Sequence, residues 1–176
     1  MTRLLVNAHG PDHPGMVAAV SKVLVDNGCN LEDTSMTRLG GHFTMLLTAR
    51  PEGEVQVDAL QAALASASES GITCSVVQIE EPVRRSDGGE RWALSLYGKD
   101  QKGIVATISD HLASKGVNVD DMTTRLTGTD NARVYTVLID VTIPTGQSDA
   151  VIEDLEAVAA DLGITCHSRP TDADTL

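Results

Sequence analysis

Hydrophobic residues alternate with polar ones at the start of the chain and again about half-way along it. The alternating apolar positions are Leu4, Val6 and Ala8 in the first stretch and Trp92, Leu94 and Leu96 in the second. Successive side chains of a β-strand point to opposite faces, so this period of two indicates a strand with one buried face. We therefore predict strands over residues 3–9 and 91–97.

Apolar stripes with helical spacing follow each of these strands. The first pair of stripes consists of Met16, Val20, Val23 and Leu24, and of Ile104, Ile108 and Leu112. The second pair consists of Val57, Leu60 and Leu64, and of Val151, Leu155, Val158 and Leu162. Each stripe predicts a helix with one buried face. Glycine is favoured just past a helix end, so Gly28, Gly116, Gly71 and Gly163 indicate where the four helices end.

Pairs of β-like segments separated by glycine-containing turns lie between the two helices of each half. Residues 31–39 and 42–50 flank Gly40-Gly41, and residues 118–127 and 132–143 flank the turn 128–131. Short loops of this kind predict hairpins. Final strands are predicted over residues 72–79 and 164–168, so each half reads β-α-β-β-α-β.

The two halves repeat one another. An offset of 88 superimposes identical residues: Gly10 on Gly98, Asp12 on Asp100, Gly15 on Gly103, Val17 on Val105, Leu24 on Leu112, Gly28 on Gly116, Asn30 on Asn118 and Asp33 on Asp121. Thr37-Arg38-Leu39 matches Thr124-Arg125-Leu126 at an offset of 87, and Gly71–Cys74 matches Gly163–Cys166 at 92. So many ordered matches indicate a duplication.

The duplicated order predicts an α+β protein with two tandem ferredoxin-like domains. Right-handed crossovers place both helices on one face of a four-stranded antiparallel sheet. We predict domain 1 over residues 1–81, a linker over 82–90, domain 2 over 91–169 and a flexible tail over 170–176. The linker segment is polar and contains Pro82 and Gly88-Gly89.

Charge and composition narrow the classes of partner. The chain has 176 residues and a formal net charge of −12, which disfavours direct contact with nucleic acid. No apolar run is long enough to span a membrane, and the N-terminal residues do not have the pattern of a signal peptide. Three cysteines without a paired spacing fit reduced thiols. We expect a cytoplasmic protein.

The turns 10–15 and 98–103 are the most informative segments for function. In each, a strand gives way to a helix, whose first backbone N–H groups have no partner within the helix and can hold a carboxylate. Asp12 and Asp100 could accept hydrogen bonds from an α-ammonium group, or they could only cap the helices. Asn30 and Asn118 offer amides nearby, or they could be left-handed turn residues.

The motif Asp12-x-Pro14-Gly15 after a strand, followed about fifteen residues later by Asn30, resembles that of the amino-acid-sensing ACT domain. The whole chain resembles the tandem-ACT proteins related to the glycine cleavage system transcriptional repressor. That family binds an amino acid between paired ACT domains. By this resemblance the ligand-binding candidates are Asp12, His13, Pro14, Gly15, Met16 and Asn30, with Asp100, Gln101, Lys102, Gly103, Ile104 and Asn118 in the second copy. Lys102 replaces proline there, so the second site is altered or purely structural.

Other chemistries have weaker support. His9 and His13 flank an Asp, but the copy replaces them with Tyr97 and Gln101, so we expect no metal. The pairs Glu32-Asp33 and Asp120-Asp121 do not converge, and we interpret both as solvated strand edges, although Glu32 and Asp120 could flank a ligand pocket. Arg38 and Arg125 either pair with acidic neighbours or reach across an interface, and the ion pair is the favoured interpretation. No cofactor, catalytic residue or enzyme motif is indicated.

These observations predict a regulatory protein. We expect it to bind a small amino acid (glycine, serine or similar), to form a homodimer and to signal to a transcription factor or an enzyme. The resemblance implies control of amino-acid or one-carbon metabolism. Two alternatives stay open, namely an ACT-like dimerisation module without a ligand and a detached regulatory subunit of a metabolic enzyme.

Overall fold

Each predicted half of the chain folds as its own unit, Met1–Arg85 and Ser86–Leu176. The computed structural model describes residues 2–66, 71–80, 88–129 and 133–171. Residues 82–87 of the predicted linker, residues 172–176 of the predicted tail, and Asp130 and Asn131 of the second hairpin turn therefore lie outside the described residues.

The first unit has the predicted order of elements. They are β1 (Arg3–Pro11), α1 (Met16–Asp26), β2 (Cys29–Leu39), β3 (His42–Pro51), α2 (Val57–Ser66) and β4 (Thr73–Ile79). The four strands form one antiparallel sheet in the order β2-β3-β1-β4.

The second unit repeats this order. Its elements are β5 (Gly89–Lys99), α3 (Ile104–Ser114), β6 (Asn118–Thr127), β7 (Val134–Pro144), α4 (Ser148–Asp161) and β8 (Ile164–Pro170). The sheet order is β6-β7-β5-β8, which is the counterpart of the first. The predicted α+β class with two ferredoxin-like βαββαβ domains is confirmed.

One face of each sheet is buried under its two helices. In β1 the alternating residues Leu4, Val6 and Ala8 are buried, and the stripe residues of α1 and α2 belong to the same apolar cluster. The corresponding cluster of the second unit includes Leu94, Leu96 and the α3 stripe. The alternation in the sequence thus identified the helix-covered face, and the other face of each sheet carries the polar residues of the pattern.

Strand pairing corrects one part of the predicted repeat. Arg38 lies opposite Phe43, whereas Leu126 lies opposite Tyr135, which is the counterpart of Phe43 in the second unit. The offset is therefore 88 along the whole of β2 and β6, and it changes to 92 only at the hairpin turn. The prediction that Arg38 and Arg125 are equivalent is wrong. Arg125 occupies the position of Thr37, on the opposite face of the strand.

A shared β-bulge supports the duplication. The register of β2 on β3 shifts between Leu31 and Thr34, and that of β6 on β7 shifts between Val119 and Asp121. The two shifts begin at Leu31 and Val119, which correspond at the offset of 88. A bulge sets two residues against one and bends the strand, so it redirects the side chains beside it.

The predicted linker and tail contribute residues to the second sheet. β5 begins at Gly89, and β8 continues to Pro170. Glu90, which we predicted as linker, accepts hydrogen bonds from the Gly146 N–H group and the Ser148 hydroxyl at the start of α4. The Ser148 bond, followed by the Gly146 bond, lowers the pKa of Glu90.

No helix in the described part of the chain is long and apolar enough to cross a membrane. No disulfide joins Cys29, Cys74 or Cys166 in the described part of the chain. Cys74 and Cys166 pair with the equivalent positions Ala8 and Leu96 of the central strands, as the repeat predicted.

Candidate functional site

The turn between β1 and α1 leaves the start of the helix open. Gly15 is the N-cap residue of α1 and has φ 99°, in the left-handed region that favours glycine. A Cβ built on Gly15 would meet no described atom within 4 Å, so the space above it is unfilled. No side chain of the described residues hydrogen-bonds to the cap, and the first turn contains no acidic residue. The N-terminal N–H groups of α1 therefore lack a side-chain acceptor.

Asp12 is held by an arginine instead of capping the helix. Its backbone N–H donates to the Gly41 carbonyl at 3.0 Å, and its carboxylate accepts a hydrogen bond from Arg38 Nη1 at 3.2 Å. The capping interpretation of Asp12 is wrong, and the ion pair predicted for Arg38 is confirmed. The Arg38 side chain is 69% exposed, so this pair contributes little to stability. Its effect is to orient the carboxylate beside the turn.

The second turn has the same backbone but different side-chain contacts. Gly103 is the N-cap residue of α3 with φ 94°, again without a side-chain cap in the described residues. Gln101 donates a hydrogen bond through Nε2 to the Leu162 carbonyl at the end of α4. Leu126 stands where the first unit has Arg38, so within the described second unit no ion pair restrains Asp100. Lys102 is exposed.

The candidate residues of the first unit fall into two groups at opposite ends of the sheet. Asn30 lies opposite Arg50, next to the Leu4 end of β1, whereas Pro11 lies opposite His42 at the other end. The seven-residue step from Leu4 to Pro11 spans about 23 Å. Asp12, His13, Pro14, Gly15 and Met16 are thus together, and Asn30 is separated from them. Asn118 is separated from the second turn in the same way.

Neither asparagine is a left-handed turn residue. Asn30 is exposed within β2, and Asn118 opens β6. No described residue other than glycine has a positive φ. The interpretation of Asn30 and Asn118 as left-handed turn residues is therefore wrong. Both residues lie in edge strands of their sheets.

Glu32, two residues after Asn30 in β2, is half-buried rather than freely solvated. Its side chain is 14% exposed and forms ion pairs with Arg3 Nη2 at 2.8 Å and with Arg50 Nε at 3.3 Å. The first contact lacks the alignment of a hydrogen bond. The strand-edge interpretation of Glu32 is wrong because the bulge in β2 turns this carboxylate toward two arginines. Arg3 and Arg50 were not predictable as partners of Glu32, because only the pairing of three strands brings them together.

The second unit holds its bulge carboxylate with neutral partners. Asp120 accepts hydrogen bonds from Asn118 Nδ2 at 2.6 Å and from Thr142 Oγ1 at 2.7 Å. Thr142 is the counterpart of Arg50 in the strand pairing. Asp120, like Asp33 and Asp121, is exposed, as predicted for a strand edge. The two copies therefore differ in charge at this end of the sheet, where Thr142 replaces Arg50.

Nucleophilic chemistry has little support at these positions. Burial raises the pKa of the Cys29 thiol, and burial together with the charge of Glu156 raises that of Cys166 to about 11. Such thiols carry little reactive thiolate at neutral pH. The described residues contain no group of three His, Cys, Asp or Glu side chains placed to hold a metal ion. The open N–H groups and the Asp12 carboxylate at the turn are suited to binding a small polar ligand.

Comparison with known proteins agrees with this architecture. Residues 2–77 match the family model of the ACT domain. The chain is 39% identical over 85 residues to the UPF0237 protein MK1213 of Methanopyrus kandleri, which covers 48% of this chain and 94% of that relative. The identity is 40% over 47 residues to the UPF0237 protein MJ1558 of Methanocaldococcus jannaschii, covering 27% of this chain and 52% of the relative.

Two solved structures match nearly the whole chain. An unknown protein from Galdieria sulphuraria superimposes with a TM-score of 0.83 and 25% identity, over 98% of this chain and 100% of that one. A candidate glycine cleavage system transcriptional repressor superimposes with a TM-score of 0.72 and 15% identity, over 97% and 98%. At that identity the second likeness concerns the fold alone. The chain belongs to the ACT-domain family, and it carries the ferredoxin-like fold of that family twice.

Proposed function

We propose that this chain is a cytoplasmic, non-enzymatic regulator that binds a small amino acid, such as glycine or serine, at an interface between paired ACT domains. The bound amino acid changes the association of the protein with a transcription factor or an enzyme. The process under control is amino-acid or one-carbon metabolism, including glycine cleavage.

The observation that carries this proposal is the open start of α1 beside a restrained carboxylate. The helix N-terminus concentrates partial positive charge, which favours the α-carboxylate of a ligand. Asp12 stands at the same turn with its carboxylate oriented by Arg38. An anion-binding group next to an acceptor for ammonium matches the two charges of a zwitterionic amino acid.

The separation of Asn30 from this turn supports binding between two copies. β2 is an edge strand, and it exposes Met36 and Leu39. An exposed edge with apolar residues is suited to pairing with another strand. If β2 of one copy pairs antiparallel with β2 of a second copy, Asn30 of each meets the Asp12–Met16 turn of the other. Dimerisation would then complete two ligand sites.

Thermal unfolding of the full chain against each of the twenty amino acids at millimolar concentration tests this proposal. A ligand at a hundred times its dissociation constant adds about 2.7 kcal/mol, which corresponds to a shift of roughly 5–10 °C. We expect a shift with one or two amino acids, and we expect Asp12→Ala and Asn30→Ala to remove it. Asp33→Ala is the matched control, because it removes an exposed carboxylate from β2, the strand that contains Asn30.

The exposed β2 edge also favours a second function, as a dimerisation module or a detached regulatory subunit that binds no metabolite. Under this alternative no amino acid shifts the unfolding temperature, and a polar substitution at Met36 or Leu39 still disrupts self-association or the capture of a stoichiometric enzyme. A shift with any amino acid that depends on Asp12 excludes the alternative.

A further inference from the structure

We propose that Arg3, Arg50 and Asn30 form a carboxylate-binding site on the first unit, and that Glu32 holds the two arginines in place. The proposal deepens the function argued above, and the part of it that concerns an amino acid as the ligand rests on that function. It also assigns the β2 end of the first sheet a ligand chemistry that the second unit does not share.

The two arginines lie side by side on the helix-free face of the sheet. Leu4 and Ala49 are paired and buried, so the next residues outward, Arg3 on β1 and Arg50 on β3, both face the opposite side. Like charges on neighbouring strands repel one another, and Glu32 offsets this by contacting both guanidinium groups. Glu32 is the acceptor that the described residues provide for either group. Two cations and one anion leave a net positive charge.

Asn30 adds an amide to this charge. It lies directly opposite Arg50 in the pairing of β2 with β3, so the two side chains are neighbours on the same face. The Arg50 side chain is 49% exposed, which leaves its terminal nitrogens accessible. A guanidinium group presents a planar set of donors that matches a carboxylate, and the Asn30 amide can donate to the same anion.

The second unit shows that the fold does not need the second arginine, because Arg91 keeps the position of Arg3 while Thr142 replaces Arg50. Its bulge carboxylate, Asp120, is satisfied by Asn118 and Thr142, and Thr142 occupies the position of Arg50. A neutral hydroxyl is therefore sufficient to support the carboxylate at this bulge. Arg50 therefore exceeds the structural requirement, and we assign the pair that it forms with Arg3 to an external anion.

NMR of the full chain labelled with ¹⁵N tests the site through the Nε–Hε signals of Arg3 and Arg50, assigned with Arg3→Gln and Arg50→Thr. The titrants are glycine, glycolate and glycinamide, which separate the carboxylate from the amino group. We expect glycine, glycolate or both to shift the two signals, and glycinamide to leave them in place. If glycolate binds as well as glycine, the site recognises the carboxylate alone. If glycine binds about tenfold more tightly, the site also reads the amino group.

The Arg50→Thr variant has the residue of the second unit at this position, so we expect it to fold. We expect its affinity for glycine or glycolate to fall by about tenfold or more. Arg50→Lys keeps the charge without the planar donors and provides the comparison if the threonine variant unfolds. Arg91→Gln, at the position that corresponds to Arg3, is the control and leaves binding unchanged.

Three results would overturn the inference: unshifted arginine signals, equal binding of glycinamide and glycine, or signals that depend on protein concentration alone. The last would assign the arginines to an acidic side chain of a second copy. Failure here is distinguishable from failure of the proposed function. An amino acid that stabilises the chain equally with and without Arg50 preserves that function, whereas binding of glycolate without any amino acid preserves only the carboxylate site.

Discussion

Gly10 lies where the central strand of the first sheet passes closest to the chain entering β4. A Cβ built on this residue would lie 2.7 Å from the Gly71 carbonyl oxygen and 3.1 Å from the Ile72 Cα. Its counterpart Gly98 is equally close to Ile164. A Cβ at Gly10 or Gly98 would clash with the neighbouring segment of chain, which explains why both halves have glycine at this position.

We expect Gly10→Ala to lower the free energy of unfolding of the first unit by about 1–3 kcal/mol, because the new methyl group meets backbone atoms that cannot rotate away. Urea unfolding of the full chain measures this. Gly53→Ala is the control, since a Cβ there meets nothing within 4 Å, and it should change stability by less than about 0.5 kcal/mol. Equal stability of the two variants would contradict the close approach.

Residue-level chemistry was only partly predictable from the sequence. The Asp-Gly turn was identifiable because its residues are contiguous and repeated. Glu32 was misinterpreted because its partners, Arg3 and Arg50, come from different strands and meet it only through the sheet. The predicted equivalence of Arg38 with Arg125 was wrong because the identical residues at an offset of 87 match by chance. Strand pairing keeps the offset at 88, so Leu126 is the counterpart of Arg38.

The elements of secondary structure were easier to predict than their ends. Strands and helices followed from periods of two and about 3.6, which burial on one face enforces. The start of β5 was placed too late because Gly89 and Glu90 are typical of a linker. In the structure Glu90 instead accepts hydrogen bonds from Gly146 and Ser148 at the N-terminus of α4. A local sequence pattern cannot predict a contact between residues so distant in sequence.

The contact of Glu90 makes the start of α4 sensitive to acid. The hydrogen bonds from Ser148 and Gly146 lower the pKa of Glu90, so its stabilising contribution is present above the ordinary glutamate pKa and is lost as the pH falls through the lowered value. We expect Glu90→Gln to reduce the loss of stability in that acid range, measured as the slope of unfolding free energy against pH.

Glu153→Gln is the control for this effect, because Glu153 is an exposed glutamate of α4. It should leave the slope of unfolding free energy against pH unchanged. If Glu90→Gln and wild type show the same pH dependence below the ordinary glutamate range, the contact does not contribute as proposed.

At the scale of the whole molecule, the duplication produced two separate apolar cores. Leu24 and Leu112 occupy equivalent helix positions, and both are fully buried, each in the cluster of its own unit. The fold class and the repeat were predictable because both halves contain the same pattern of apolar positions and glycines. The identity of the ligand was not, because a fold common to many regulators does not specify one.

The two cores make a matched pair of predictions. We expect Leu24→Ala and Leu112→Ala each to destabilise by about 2–5 kcal/mol, because each removes buried methyl groups and leaves a cavity. Amide exchange of the full chain should lose protection most strongly in the unit that carries the substitution. Equal loss across both units for either variant would contradict separate cores.

The most direct test of the central claim, that an amino acid binds at the strand-to-helix turns, is hydrogen–deuterium exchange of the full chain with and without the amino acid that raises its unfolding temperature. We expect slower exchange in residues 12–17 and 29–31, with no comparable change in α2. Unchanged exchange at the turn, or protection confined to segments away from both the turn and Asn30, would contradict it.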